Sequence, residues 1–174
     1  MAIISHPNHV AISVPDAAKA AEFYTQVLGL KVLVPDNTMN AEDAGGVPRK
    51  IYGKELQRVR SIILTASNGI GFEIFEFVAP KYNGPHQRPE WGPDSYTRGG
   101  FFHVGFVVAD IDETVAACER LGGKLVGEKV HPVPGEAALY MQDPWGNIIE
   151  LMTCGFDQMF SQVISAGRFN NSRT

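Results

Sequence analysis

Short runs of alternating apolar residues, then apolar residues at helical spacing, follow one another along this chain in the same order twice. "HVAISVPDAAKAAEFYTQVLGLKV" (His9–Val32) lines up without gaps on "HVGFVVADIDETVAACERLGGKLV" (His103–Val126). Each copy predicts a strand, a turn, a helix and a second strand. Ala20, Phe23, Tyr24 and Val27 recur at helical spacing in the first copy, and Ile111, Val115, Cys118 and Leu121 in the second. Asp16 and Asp110 stand where a side-chain oxygen can accept from the free N–H groups that open a helix. Gly29 and Gly123 stand where its end favours a left-handed residue.

The repeat continues. In "NGIGFEIFEF" and "WGNIIELMT" a glycine precedes a glutamate by four positions, Gly69 before Glu73 and Gly146 before Glu150. Further strands are predicted at Val59–Ala66 and Ala137–Asp143, so each half reads β-α-β-β-β. The expected layout is a first βαβββ module over 1–78, a linker over 79–100, a second module over 101–153 and a tail over 154–174. Residues 34–61 are rich in Pro, Gly and charge and predict a long loop holding at most a short helix. The linker has four prolines and four glycines and no apolar period. The tail is expected to begin as an amphipathic helix and to fray at its polar end.

Composition narrows the class. The chain has 174 residues, 44% apolar and 20% charged, with net charge −4. That suits one globular domain and disfavours a nucleic-acid partner. Cys118 and Cys154 make no disulfide framework. The opening "MAIISHPNHV" lacks the pattern of a signal peptide, and no apolar run reaches the length of a membrane span. A cytoplasmic protein with no membrane partner is expected.

Four polar residues interrupt the strands at matched positions: His9, Glu73, His103 and Glu150. Buried singly, each carboxylate would cost several kcal/mol. Together, two imidazoles and two carboxylates can neutralise one another around one divalent ion, of a kind that includes Zn, Ni, Co, Mn and Fe(II). Strand parity puts His9, Ala11 and Ser13 on one face and His103, Gly105 and Val107 on its counterpart, with small neighbours beside each histidine. Glu73, Phe75 and Phe77 share a face, as do Ile148, Glu150 and Met152. The predicted pocket is thus metal-floored with apolar walls. Glu76 has the opposite parity and reads as an exterior or edge residue. His6, His86 and His131 lie beside prolines in loop-like stretches and are not expected as ligands.

"NHVAISVPD", "FYTQVLGLKV" and "DPWGNIIEL" resemble the vicinal oxygen chelate superfamily over about residues 7–153. That group includes glyoxalase I, methylmalonyl-CoA epimerase, extradiol dioxygenases and bleomycin-resistance proteins. The resemblance implies an α+β fold of two βαβββ modules whose mixed sheets curl into a metal-binding cup. It implies His9, Glu73, His103 and Glu150 as metal ligands, with Glu73 and Glu150 also catalytic in moving protons. Ser13 and Phe77 stand where glyoxalase I has the Arg and Asn that read glutathione, which speaks against a glutathione adduct. Arg58 and Arg60 could instead meet an anionic substrate group, and Ser13, Phe75, Phe77, Tyr140 and Met152 complete the expected substrate pocket.

Three functions remain at this stage. The first is a metal-dependent lyase, isomerase or epimerase that moves a proton next to a carbonyl of a small molecule. The second is an Fe(II) dioxygenase built on His9, His103 and Glu150. The third is a binding or resistance protein holding an aromatic compound among Phe72, Phe75, Phe77, Phe101, Phe102, Phe106, Tyr140 and Trp145. The first is preferred because it uses all four polar residues. The resemblance also implies a homodimer, and leaves open whether the cup closes within one chain or across two.

Overall fold

The computed structural model describes residues 5–165 and Gly167. It divides between His86 and Gln87 into two units. The first unit contains β1 (His9–Ser13), α1 (Ala17–Leu28), β2 (Lys31–Asn40), α2 (Asp43–Tyr52), β3 (Arg58–Thr65) and β4 (Gly71–Ala79). The second contains α3 (Pro93–Tyr96), β5 (His103–Val107), α4 (Ile111–Arg120), β6 (Lys124–Val130), β7 (Ala138–Gln142), β8 (Ile148–Met152) and α5 (Phe156–Ser165). The sheets have matching orders, β1-β4-β3-β2 and β5-β8-β7-β6. In each, the His-bearing strand runs parallel to the Glu-bearing strand and the other pairs are antiparallel. The expected pair of βαβββ modules with mixed sheets is therefore present. The polar end of the tail lies outside the described residues, and so does the expectation that it frays.

One face of each sheet packs under its helix. Tyr24 of α1 meets Phe23 beside it and Phe72 of β4, with Tyr24 and Phe72 ring centroids 4.5 Å apart, and Ile62, Leu64 and Ile74 are buried in the sheet beneath. Ile111, Ala117 and Cys118 of α4 are buried on the equivalent side, and Leu139, Met141, Ile149 and Leu151 are buried in β7 and β8. Both helices start as their sequences predict. Asp16 Oδ1 accepts from the Lys19 N–H at 3.0 Å, and Asp110 Oδ1 from the Glu113 N–H at 2.9 Å.

Two expectations change, and the helix expected in the tail is present and packs on the second sheet. Gly29 is left-handed at the end of α1 (φ 67°), but α4 ends sooner and Gly122 (φ 86°) takes that role instead of Gly123. Gly123 is required for another reason: a Cβ there would lie 2.3 Å from Cys118 Sγ and 2.6 Å from the Gln142 carbonyl oxygen. Residues 34–61 are no long loop. β2 runs on to Asn40 through two register shifts, and as an edge strand it accommodates Pro35. Within α2, residues Ala44, Gly45 and Gly46 are left-handed, and helix resumes beyond them with Pro48 in its first turn. Finally, the tail helix α5 folds back. Its Met159 and Val163 pack with Val133, Ala138, Met152 and Cys154, covering part of the second sheet's other face.

Candidate metal centre

Each unit brings one histidine and one glutamate together on the sheet face its helix leaves open. In the first, His9 Nε2 lies 3.6 Å from Glu73 Oε2, and the two side chains are 48% and 29% exposed. In the second, His103 Nε2 lies 3.2 Å from Glu150 Oε2, with 29% and 23% exposure. The four residues are therefore half-open, where the sequence predicted them buried. The face that carries them lies opposite the helix, and in the second unit α5 covers only part of it.

The pairing has a chemical consequence. His9 Nδ1 sits 2.8 Å from Asn8 Oδ1, an acceptor, so the ring proton belongs on Nδ1 and the Nε2 lone pair faces Glu73. A lone pair and a carboxylate oxygen repel unless a proton or a cation lies between them. Two donors about 2.1 Å from one ion stand roughly 3.0 Å apart at a right angle and about 3.4 Å apart at the tetrahedral angle. The 3.2 Å between His103 and Glu150 falls in that range, and the 3.6 Å between His9 and Glu73 lies just beyond it, so the second pair fits a divalent cation as it stands and the first after closing by a few tenths of an ångström. Within either unit, no three His, Cys, Asp or Glu side chains among the described residues group closely enough to hold a metal. Each unit thus offers two candidate donors, one imidazole and one carboxylate.

Local backbone places these side chains. Gly71 is the Cα partner of His9, and a Cβ on it would come within 3.2 Å of His9 Cβ. This glycine opens a depression of about 360 Å³ lined by Asn8, His9, Leu33, Ile63, Thr65 and Glu73. In the second unit Ile148, buried, partners His103. Glu150 is set by the turn before β8. There Asp143 is fully buried and accepts from the Trp145 and Asn147 N–H groups at 2.9 and 2.8 Å and from Asn147 Nδ2 at 2.6 Å.

The expected pocket residues separate. Ser13 and Phe75 are cross-strand partners, with Ser13 at the exposed end of β1. Phe75 and Phe77 stack at 6.3 Å, and Tyr52 of α2 stands edge-on to both at 6.3 and 5.3 Å. Burial pushes the Tyr52 phenol up and the nearby Glu73 charge adds to the shift. Tyr140 is the Cα partner of Glu150, with its ring 5.3 Å from that of His103. Burial raises its phenol first, then the charge of Glu150 and a hydrogen bond to it.

Other expected residues lie elsewhere. Arg60 faces the helix side, where Nε and Nη2 donate to Asp36 at 2.6 and 2.9 Å and Nη1 to Glu76 at 3.2 Å. Glu76 also accepts from the Ala17 N–H at 3.0 Å, so it caps α1 and is no edge residue. Arg58 borders a separate depression with Asn40, Glu42, Arg49 and Gln57. Met152 shares the face of Glu150 but is buried under α5, so it is core rather than pocket wall. Phe72 is core as well, under α1.

Sequence reasoning missed Asn8, whose only signal was its place beside His9, and Tyr52, concealed in a stretch read as loop. It also missed Trp91 and Tyr96 in the linker. Neither cysteine competes as nucleophile or ligand. Burial, chiefly, pushes the Cys118 thiol up to about 12, and burial followed by Glu136 raises Cys154.

A family model described as "Glyoxalase/Bleomycin resistance protein/Dioxygenase superfamily" matches residues 6–151. A 2-epi-5-epi-valiolone epimerase from Actinomyces sp. is 29% identical over 165 residues, covering 89% of this chain and 82% of that protein. A probable lactoylglutathione lyase from Vibrio cholerae serotype O1 is 28% identical over 148 residues, covering 83% and 87%. The crystal structure of a glyoxalase family protein from Bacillus cereus matches with TM-score 0.69 at 25% identity, covering 87% and 95%.

Proposed function

The chain belongs to the Glyoxalase/Bleomycin resistance protein/Dioxygenase superfamily, and on that premise we propose that it is a divalent-metal-dependent enzyme that moves a proton next to the carbonyl of a small hydroxy-carbonyl substrate. The observation that carries this reading is the matched pair of open His–Glu contacts, 3.6 and 3.2 Å, at equivalent positions of the two units. His9 and Glu73 would hold the ion together with His103 and Glu150, drawn from one chain or from two copies in a homodimer. A bound divalent cation supplies a Lewis acid that withdraws charge from a carbonyl oxygen and acidifies the neighbouring C–H.

The chain's own groups do the rest. One carboxylate, Glu73 or Glu150, takes the proton from carbon. The other, on the matching strand, can return it to the opposite face, which is epimerisation. The Actinomyces relative, named as an epimerase, supports this direction. A glutathione adduct is disfavoured, because Phe77 lies against Tyr52 and Ser13 carries no charge. A neutral reacting end is favoured over an anionic one, because Arg60 is committed to Asp36 and Glu76 and no basic side chain lines the depression around His9. The two buried, free cysteines are consistent with a cytoplasmic protein.

The test is metal content by plasma mass spectrometry on untagged protein purified anaerobically without chelator, beside the His103→Ala variant. Zn, Ni, Co or Mn in the wild type and its loss from a still-folded variant is the expected result. Iron as the only metal would move the reading to oxygen chemistry. Metal retained at full stoichiometry by His103→Ala would refute the ligand assignment.

A further inference from the structure

In the second unit, a chain of aromatic rings leads from the linker to the His103–Glu150 pair. Tyr96 of α3 lies 5.6 Å from Trp91, Trp91 lies 6.4 Å from Phe102, and Phe102 lies 4.9 Å from the His103 ring and 6.1 Å from Tyr140. These rings touch without being buried: Tyr96 is 50% exposed and Phe102 39%. The ring cluster under α1 in the first unit shows what a structural cluster looks like. Phe23, Tyr24 and Phe72 there are at most 3% exposed. Rings that assemble a core exclude water, which is where their stabilisation arises. Rings held at a tilt to one another in the open retain apolar surface that a ligand can cover.

The wall also has a defined footing. The linker reaches the unit's body where Glu90 pairs with Lys124 at 3.8 Å and Gln142 Nε2 donates to the Pro89 carbonyl at 3.4 Å. Pro89 further packs so closely on Gly146 that a Cβ there would sit 2.5 Å from it. Trp91 follows directly after this anchor, so its position is built and not an accident of a loose loop.

We propose that Trp91 and Phe102 form a stacking wall that takes the apolar face of a ring-shaped hydroxy ketone whose reactive oxygens reach His103 and Glu150. This rests on the proposed function and names its substrate class: cyclic rather than open-chain. Flat rings complement the C–H face of a six-membered ring, and leave its polar edge to the His–Glu end. An open-chain hydroxy ketone has no such face to offer.

The probes are 2-hydroxycyclohexanone and acetoin, two neutral hydroxy ketones that differ in ring closure. Both are titrated into metal-loaded protein carrying Trp145→Phe, so that Trp91 is the remaining tryptophan. The ring compound is expected to change Trp91 fluorescence saturably and to bind tighter than acetoin. By calorimetric titration, Trp91→Leu in the otherwise wild-type chain should weaken the ring compound by about tenfold and acetoin by less than about twofold, with metal content and melting temperature kept. Trp91→Phe should restore most of the difference. Equal losses for both probes, no loss for either, or no saturation by the ring compound would overturn the wall. Failure of the underlying reading looks different. The protein would then hold no metal and exchange no deuterium next to the carbonyl, while ring binding still depended on Trp91.

Discussion

The two units carry His and Glu in the same register and surround them differently. The first places Gly71 beside His9, which leaves the imidazole half-exposed over an aliphatic depression. The second places buried Ile148 beside His103 and a ring chain beyond it. Two residues after each glutamate the contrast repeats. Phe75 is half-buried against Tyr52 and Phe77, and Met152 is covered by α5. Both units thus keep a His–Glu pair, 3.6 and 3.2 Å apart, while the walls around it differ.

The largest expected break in the comparison lies at Phe75 and Met152. Met152→Ala removes a fully packed side chain and should cost about 2–5 kcal/mol of stability. Phe75→Ala removes ring contacts at a partly open face and should cost about 1 kcal/mol. Urea unfolding of the two variants gives the ratio. Equal costs would mean that α5 does not seal its face.

The glycines sharpen the comparison next. Gly29 needs its positive φ and has open space around it, whereas Gly123 needs room. Asparagine tolerates the left-handed region, so Gly29→Asn should cost less than about 1 kcal/mol. Gly123→Asn forces atoms into Cys118 and the Gln142 carbonyl and should cost about 3 kcal/mol or more. Thermal melting separates them, and a reversed order would show that the two positions had been assigned wrongly.

These cases also show where the sequence is legible. Helical and strand periods are local, so the repeat, the bounds of α1 and both aspartate caps could be read directly. Parity correctly grouped Met152 with Glu150, but no period shows that a helix four residues on folds over that face. Arg60 has its principal partner at Asp36, 24 positions away on a strand that looked like loop. The six-residue stretch that delivers Tyr52 follows three left-handed residues, too short and too interrupted to show a helical period. Of the site, the His and Glu positions were visible because they interrupt apolar strands twice. Phe75, Phe77 and Tyr140 were visible too because they lie on the repeated strands, whereas Tyr52, Trp91 and Tyr96 come from unrepeated stretches, where one half gives no information about the other.

A smaller effect concerns the imidazoles themselves. His9 has Asn8 on its Nδ1, while His103 Nδ1 is buried and has no hydrogen-bond partner among the described residues. Partners of this kind fix the tautomer and orient a ligating ring, and their loss costs about 10–100-fold in metal affinity. Asn8→Ala should therefore weaken metal binding within that range, measured by competition with a chromogenic chelator, with little change in melting temperature of the metal-free protein. An unchanged affinity would mean that His9 does not ligate through Nε2.

The smallest effect separates the units by pH. In the first, the Arg60 guanidinium hydrogen-bonded to Asp36 holds that carboxyl below the usual 3.8, against a weaker opposing effect of burial and with a further Coulombic contribution. In the second, the residue three after Glu150 is Thr153, whose hydroxyl accepts from the Ala137 N–H at 2.8 Å and donates to Glu136 at 2.6 Å. A carboxyl whose pKa is lowered by folding stabilises the fold above its unfolded value. That contribution fades as pH falls through the lowered folded value. Asp36 is exposed, so solvent screens the pair and the effect is modest. Asp36→Asn should melt slightly below wild type at neutral pH, and the gap should close as the pH drops below the ordinary aspartate range. A gap that persists or widens in acid would mean that Asp36 acts through its shape on the β2 edge and not through its charge on Arg60.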